Sequence, residues 1–174
     1  MQDVQQKAKQ TKLVIFDVDG VLTDGSLFIG DDGQEYKAFN SRDGHGMKML
    51  QHSGVTIAII TGRTSEVVRH RVRDLGIKHV YQGQHDKREA LEHLLTSLDV
   101  SAQEAAYVGD DVVDLPAMIR VGFAIAVQNA HQEVKAHAHW ITPSIGGHGA
   151  ARDVCELIMD AQGTLRTQLD AYLQ

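Results

Sequence analysis

Cysteine is almost missing from this sequence. Cys155 is the only one, so no disulfide can form within the chain and a reducing compartment, the cytoplasm, is expected. Proline occurs only twice, against 43% hydrophobic residues; that balance excludes a disordered chain and describes an ordinary globular one. Positive charge is also short. Seventeen Lys and Arg face 23 Asp and Glu, a net charge of −6, which argues against a nucleic-acid partner. No apolar run approaches ~18 residues, so no membrane span is expected. The polar stretch Met1 to Lys12 lacks the apolar core of a signal peptide. No internal repeat and no low-complexity segment appears, and 174 residues suit one domain with a sizeable core, residues 1–174.

What is present concentrates in one stretch, Leu13-Val14-Ile15-Phe16-Asp17-Val18-Asp19-Gly20-Val21-Leu22-Thr23-Asp24. Four apolar residues run into an acid, a second acid and a glycine, the pattern of a buried strand ending at a sheet rim. In open α/β folds ligands bind at that rim. Asp17 and Asp19, two apart on an extended chain, can point the same way. Two carboxylates so close repel unless a cation or a shared proton intervenes. A metal site, a proton-sharing pair and a plain strand-end turn all fit this stretch alone.

Further along, Leu27-Phe28-Ile29 and Glu35 to Phe39 flank the turn Gly30-Asp31-Asp32-Gly33 and predict a hairpin insertion over about residues 25–40. A helix is expected from Gly46 to His52, ending at Gly54. Val55 to Ile60 reads as a second strand, Ser65 to Leu75 as a helix, and Ile77 to Tyr81 as a third strand. Lys87 to Leu98 is a helix with Leu91, Leu94, Leu95 and Leu98 on one face. Ser101 to Glu104 has capping-box spacing. Ala105 to Val108 is the fourth strand, Leu115 to Val121 a helix, Phe123 to Val127 a strand, Val134 to His137 a short helix and His139 to Thr142 a last strand. Ala150 to Ala161 closes the pattern as an amphipathic helix with Cys155 on its apolar face. Leu165, Leu169 and Leu173 read as one more helix in the tail, about 164–174. Strands alternating with helices predict a three-layer, Rossmann-like α/β sandwich with a mainly parallel sheet.

The strand ends carry the chemistry. The first offers Asp17 and Asp19; the second offers Thr61 beside Gly62, where a helix N-terminus can hold an anion. Lys87 starts a helix nearby, and the fourth strand runs into Asp110, Asp111 and Asp114. So many acids in one crevice need positive charge, which a hard cation such as Mg²⁺ together with Lys87 would supply. A hydroxyl, backbone amides and a lysine suit a phosphate dianion. Metal, phosphate and a nucleophilic carboxylate together are equipment for phosphoryl transfer. Each residue has a plainer reading as a turn, cap or solvated charge; their joint order along one sheet is what selects the functional one. His131, His137 and His139 lack the spacing of a zinc site.

Phe16-Asp17-Val18-Asp19-Gly20-Val21-Leu22, then Thr61, then Lys87, then Gly109-Asp110-Asp111-Val112-Val113-Asp114 resemble the four ordered motifs of the haloacid dehalogenase superfamily. Asn40-Ser41-Arg42-Asp43-Gly44, Ile60-Thr61-Gly62-Arg63, Tyr81-Gln82-Gly83 and Gly146 to Cys155 resemble, more narrowly, the 3-deoxy-D-manno-octulosonate 8-phosphate phosphatases, over about Lys12 to Gly163. The tail departs from that pattern. The resemblance implies a capless phosphatase of lipopolysaccharide biosynthesis. In it Asp17 is the nucleophile that becomes an aspartyl phosphate, and Asp19 the acid and base. Thr61 and Lys87 complete the catalytic set. Mg²⁺ would be held by Asp17, the main-chain carbonyl of Asp19, and Asp110, with Asp111 and Asp114 orienting Lys87 and metal-bound water. It further implies sugar-acid contacts at Asp19, Asn40, Ser41, Arg42, Asp43, Gly44, Lys48, Arg63, Arg71, Lys87 and Asp111, and a homotetramer in which hairpins cover neighbouring active sites. A nine-carbon sugar acid 9-phosphate, or a non-catalytic assembly domain of the same fold, are the alternatives. A response-regulator receiver fits less well, because its first strand ends in an acid pair rather than the spaced Asp17-Val18-Asp19.

Overall fold

The computed structural model describes residues 2–173. Its centre is β1 (Leu13–Phe16), every residue of which is buried. β1 pairs in parallel with β4 (Thr56–Ile60) on one side and β6 (Ala105–Gly109) on the other. β5 (His79–Tyr81) extends the sheet beyond β4, while β7 (Phe123–Ala126) and β8 (Trp140–Ile141) extend it beyond β6. The order is β5-β4-β1-β6-β7-β8, with every pairing parallel. Near-continuous Val, Ile, Leu, Ala and Phe in the inner strands follow from burial on both faces of the sheet.

Helices flank the sheet in two groups. α1 (Gln2–Gln10), α2 (Ser41–His52) and α7 (Ala150–Ala161) pack together, and so do α4 (Lys87–Leu98), α5 (Leu115–Met118) and α6 (Gln132–His137). α3 (Glu66–Asp74) precedes β5, and α8 (Leu165–Asp170) lies against α7 through Leu165 and Leu169, which pack on the core. Leu173 lies beyond that helix and is exposed. The result is the expected three-layer α/β sandwich with a parallel sheet.

Three elements differ from the sequence reading. α2 starts at Ser41 rather than Gly46, because the Asn40 side-chain oxygen accepts from the Arg42 and Asp43 N–H groups at 2.8 and 3.3 Å and opens the helix. Gly44 and Gly46, poor helix formers by themselves, sit inside it because neighbouring arginines press on them. A Cβ on Gly44 would stand 2.2 Å from an Arg71 nitrogen, and one on Gly46 2.6 Å from Arg152 Cδ. The helix expected from Leu115 to Val121 is instead a 3₁₀ turn at Val112–Asp114 followed by the four-residue α5. α1 has no counterpart in the sequence reading: among its residues only Ala8 is buried, so it shows little apolar periodicity.

The hairpin insertion is a separate two-stranded sheet, β2 (Phe28–Ile29) against β3 (Glu35–Tyr36). Between Asp24 and Val55 the chain holds only this hairpin and α2; between Thr61 and Asp110 it holds only α3, β5, α4, a short 3₁₀ turn and β6. There is no cap domain in either place. Among the described residues no helix is long and apolar enough to cross a membrane.

Candidate active site

Register brings the polar residues to one rim. Phe16 stands opposite Ile59 on β4 and Val108 on β6, so the residues that follow each strand emerge side by side. Asp17 is tied there by its own N–H, which donates to the Val108 carbonyl at 3.1 Å. Its carboxylate is fixed at both oxygens: Oδ1 accepts from the Val18 N–H at 2.7 Å, and Oδ2 lies 2.8 Å from Lys87 Nζ. Thr61 is buried at the end of β4, its N–H donating to the Tyr81 carbonyl and its carbonyl accepting from the Gln84 N–H.

Lys87 is only 2% exposed and bridges Asp17 to Asp114, which lies 2.7 Å from Nζ. Asp114 is fully buried, and both its oxygens are occupied. Oδ1 also accepts from the Tyr107 hydroxyl at 2.9 Å, and Oδ2 accepts from the N–H groups of Asp110 and Asp111 at 2.9 and 3.2 Å. Asp114 therefore holds Lys87 and shapes the loop after β6. Tyr107 is absent from the sequence-derived site. Its signal is a lone hydroxyl in the apolar run Ala105-Ala106-Tyr107-Val108, where a buried polar group must find a partner.

Carboxylate oxygens of Asp17, Asp110 and Asp114 lie within 4.8 Å of one another. Burial, followed by the charges of Asp114, Asp17 and Asp111, pushes Asp110 up to about 8, with Lys87 alone opposing among the main influences. Burial and then Asp114 likewise raise Asp17 to about 6, against Lys87 and the Val18 N–H. Burial by itself would lower Lys87, yet Asp114 and Asp17 carry it above its ordinary value. The cluster thus holds more negative charge than Lys87 neutralises. Gly20 makes room for it: its φ is +85°, and a Cβ there would stand 2.1 Å from Asp110 Oδ2. An all-oxygen donor set with surplus negative charge fits Mg²⁺. Asp19 enters the metal expectation through its main-chain carbonyl; its side chain is not among the converging carboxylates.

Instead, the Asp19 carboxylate faces the hairpin. Its Oδ1 lies 2.5 Å from Lys37 Nζ, and its Oδ2 3.9 Å from Arg63 Nε. Lys37 and Arg63 also reach Glu35, at 3.1 and 3.0 Å. Neither Glu35 nor Lys37 stands out in the sequence, although their alternate spacing on a hairpin strand puts both on one face.

The expected sugar-acid contacts divide. Arg63 and Lys87 stand at the crevice. Asp43 does not: it is buried, and its two oxygens accept from Gly149 N–H and Arg152 N–H at 3.2 and 2.9 Å, capping the start of α7. Arg71 donates to the Asn40 carbonyl at 3.0 Å and lies over the Phe39 ring, so it braces the start of α2. Asn40 caps that helix, Gly44 is packed under Arg71, and Ser41, Arg42 and Lys48 are exposed on it. Asp111 is exposed and caps the 3₁₀ turn through the Val112 N–H. The loop Gly146-Gly147 locks the other side of the crevice. Gly147 N–H donates to the Val21 carbonyl, and a Cβ on Gly146 would stand 1.7 Å from the Gly20 oxygen.

Residues 76–152 match the family of haloacid dehalogenase-like hydrolases. Over 163 residues the chain is 47% identical to the 3-deoxy-D-manno-octulosonate 8-phosphate phosphatase of Yersinia pestis, covering 94% of this chain and 87% of that one. The chain belongs to the haloacid dehalogenase-like hydrolases. Its relatives place it in the branch of the 3-deoxy-D-manno-octulosonate 8-phosphate phosphatases, and it is an enzyme. The fold agrees. The phosphatase of Moraxella catarrhalis, crystallised with magnesium, phosphate and a KDO molecule, superposes with a TM-score of 0.97 at 44% identity, covering 99% of each chain. A cobalt-bound deoxy-D-mannose-octulosonate 8-phosphate phosphatase of Haemophilus influenzae superposes at 0.93 with 40% identity, covering 97% of this chain and 100% of that one.

Proposed function

We propose that this hydrolase is a Mg²⁺-dependent, cytoplasmic phosphatase that converts 3-deoxy-D-manno-octulosonate 8-phosphate to 3-deoxy-D-manno-octulosonate and phosphate, a step of lipopolysaccharide biosynthesis. The observation that carries the reading is the buried Asp17 carboxylate, fixed between Val18 N–H and Lys87 and facing Asp110 across a charge-surplus gap.

Asp17 attacks phosphorus; the bond to the sugar oxygen breaks and an aspartyl phosphate forms. Asp19 delivers its proton to the departing sugar oxygen, then takes one from the water that hydrolyses the acyl phosphate, which restores both carboxyl groups. Bound Mg²⁺, held by Asp17, the Asp19 carbonyl and Asp110, would neutralise charge on the transferring phosphoryl oxygens. Lys87 adds a fixed positive charge, and Thr61 a hydroxyl, where phosphate oxygens sit. Arg63 suits the sugar-acid carboxylate, since a guanidinium can grip it with two parallel hydrogen bonds. Asn40 to Gly44, Lys48, Arg71 and Asp111 shape the substrate side, Asp43 and Arg71 through the backbone they hold.

Phosphate release from eight- and nine-carbon sugar-acid phosphates, with Mg²⁺ and with a chelator, tests the reading. The eight-carbon ester should lead in kcat/KM by about tenfold or more, and chelation should abolish turnover. A preference for the nine-carbon ester would move the substrate assignment; no turnover of any ester would leave a non-catalytic assembly domain.

A further inference from the structure

The hairpin does more than span the space beside the crevice. The chain runs on past Tyr36, and alternation sends Glu35 and Lys37 to one face while Tyr36 points away and is exposed. The Lys37 side chain is 1% exposed, its ammonium 2.5 Å from Asp19 Oδ1 and 3.1 Å from Glu35 Oε1. A lysine is buried to that degree only when paired, and here it has two carboxylates. Glu35 is held in turn by Arg63 Nη2 at 3.0 Å. Asp19 itself sits at the crevice mouth with 21% of its side chain exposed. Among the described residues its other oxygen, Oδ2, meets only Arg63 Nε, at the long distance of 3.9 Å.

We infer that Lys37, seated by Glu35, is a positioning residue that fixes the Asp19 carboxylate in one orientation, with Oδ1 occupied and Oδ2 left to move the proton. This inference rests on the phosphatase reading, in which Asp19 is the acid and base. Burial separates the role from substrate binding, because a side chain 1% exposed offers a sugar no surface. Without the ammonium, a partly exposed aspartate on a turn is free to rotate, and the half-exposed Arg63 guanidinium is the remaining cation within reach among the described residues. Misplacing a proton-transfer group by about 1 Å is enough to cost a large part of its effect.

Lys37→Met, Lys37→Arg and Glu35→Gln test this in the full-length enzyme with Mg²⁺. On the sugar-acid phosphate, Lys37→Met should lose about 10- to 100-fold in kcat with KM within about twofold. Lys37→Arg, which keeps a cation on a stem of similar length, should recover at least about a third of the parent kcat. With p-nitrophenyl phosphate the phenolate departs without a proton. Its release in the first turnover, read as a burst, should stay within about threefold of the parent, while later turnovers slow. A kcat within twofold of the parent, a loss confined to KM, or a burst that falls by the same factor as sugar-ester turnover would each overturn the inference. Should Lys37→Met not fold, Glu35→Gln is read in the same assays, and an unchanged kcat there has the same meaning. A parent enzyme inactive on every sugar-acid phosphate counts against the phosphatase reading; an active parent with indifferent variants counts against Lys37 alone.

Discussion

At Lys87 two large effects oppose each other. Removing an ammonium from water favours its neutral form, while Asp17 and Asp114 at 2.8 and 2.7 Å favour the charged one, and the charges win. The carboxylates around it show the opposite balance, since Asp17 and Asp110 are raised to about 6 and about 8 from an ordinary 3.8. A group raised on folding adds stability below its unfolded pKa and loses it as pH rises through the folded one. The metal-free protein should therefore melt at progressively lower temperature from about pH 4 to about pH 8, and saturating Mg²⁺ should flatten that slope. Lys87, raised from a value above this window, does not change its sign. Calorimetry with and without chelator measures both slopes, and parallel slopes would contradict a cation site at Asp17 and Asp110. Asp17→Asn keeps the shape of the side chain but removes the nucleophile. Phosphate release should fall by roughly 10³-fold or more, while circular dichroism and the melting temperature of the metal-free protein show no loss of fold. Residual activity within tenfold of the parent would remove Asp17 from the nucleophile role.

Among the elements, the start of α7 is where motif and role separate. Asp43 belongs to a stretch that resembles a substrate-binding motif, yet its carboxylate satisfies the Gly149 and Arg152 N–H groups that a helix beginning would otherwise leave open. Asp43→Ala should destabilise the protein by about 1–2 kcal/mol, with KM for the sugar-acid phosphate nearly unchanged. Denaturant melts and steady-state kinetics separate the two roles: an unaltered midpoint with a tenfold rise in KM would make Asp43 a substrate contact. Asn40 and Arg71 follow the same logic at α2, one capping the helix and the other clamping its entry. As a set, these residues are legible in the sequence. Their division into site and support is not, because a cap contact 106 residues away along the chain leaves no local trace.

For the whole molecule, the exposed hairpin is the surface that calls for a partner. Leu27, Phe28, Ile29 and Tyr36 are 47% to 62% exposed, an apolar strip on a two-stranded sheet with free edges, which is marginal in water by itself. Glu35 and Lys37 tie the hairpin to its own domain, while the paired Phe28 and Tyr36 point to the opposite face and Leu27 and Ile29, on the Glu35 side, are exposed as well. We propose a homotetramer in which these strips associate beside the active sites. Leu27→Asp with Ile29→Asp should dissociate it in sedimentation and lower kcat/KM for the sugar-acid phosphate more than for a small artificial ester. A wild-type monomer with full selectivity for the bulky ester is incompatible with that assembly.

Local chemistry written in consecutive residues was decisive for much of this protein. The apolar run from Leu13 to Phe16, the acids that end it, the leucine face of the helix from Lys87 and the amphipathic run from Ala150 to Ala161 each follow from period and breakers within a few residues. With them came the parallel sheet and the gathering of Asp17, Thr61, Lys87 and Asp110 at its rim. Tertiary structure decided what those residues face. That Asp114 has no free oxygen, that Asp43 caps α7, and that Lys37 lies between Glu35 and Asp19 depend on contacts between segments distant in sequence. A charged side chain carries no mark of its partner until burial removes water and makes one partner obligatory.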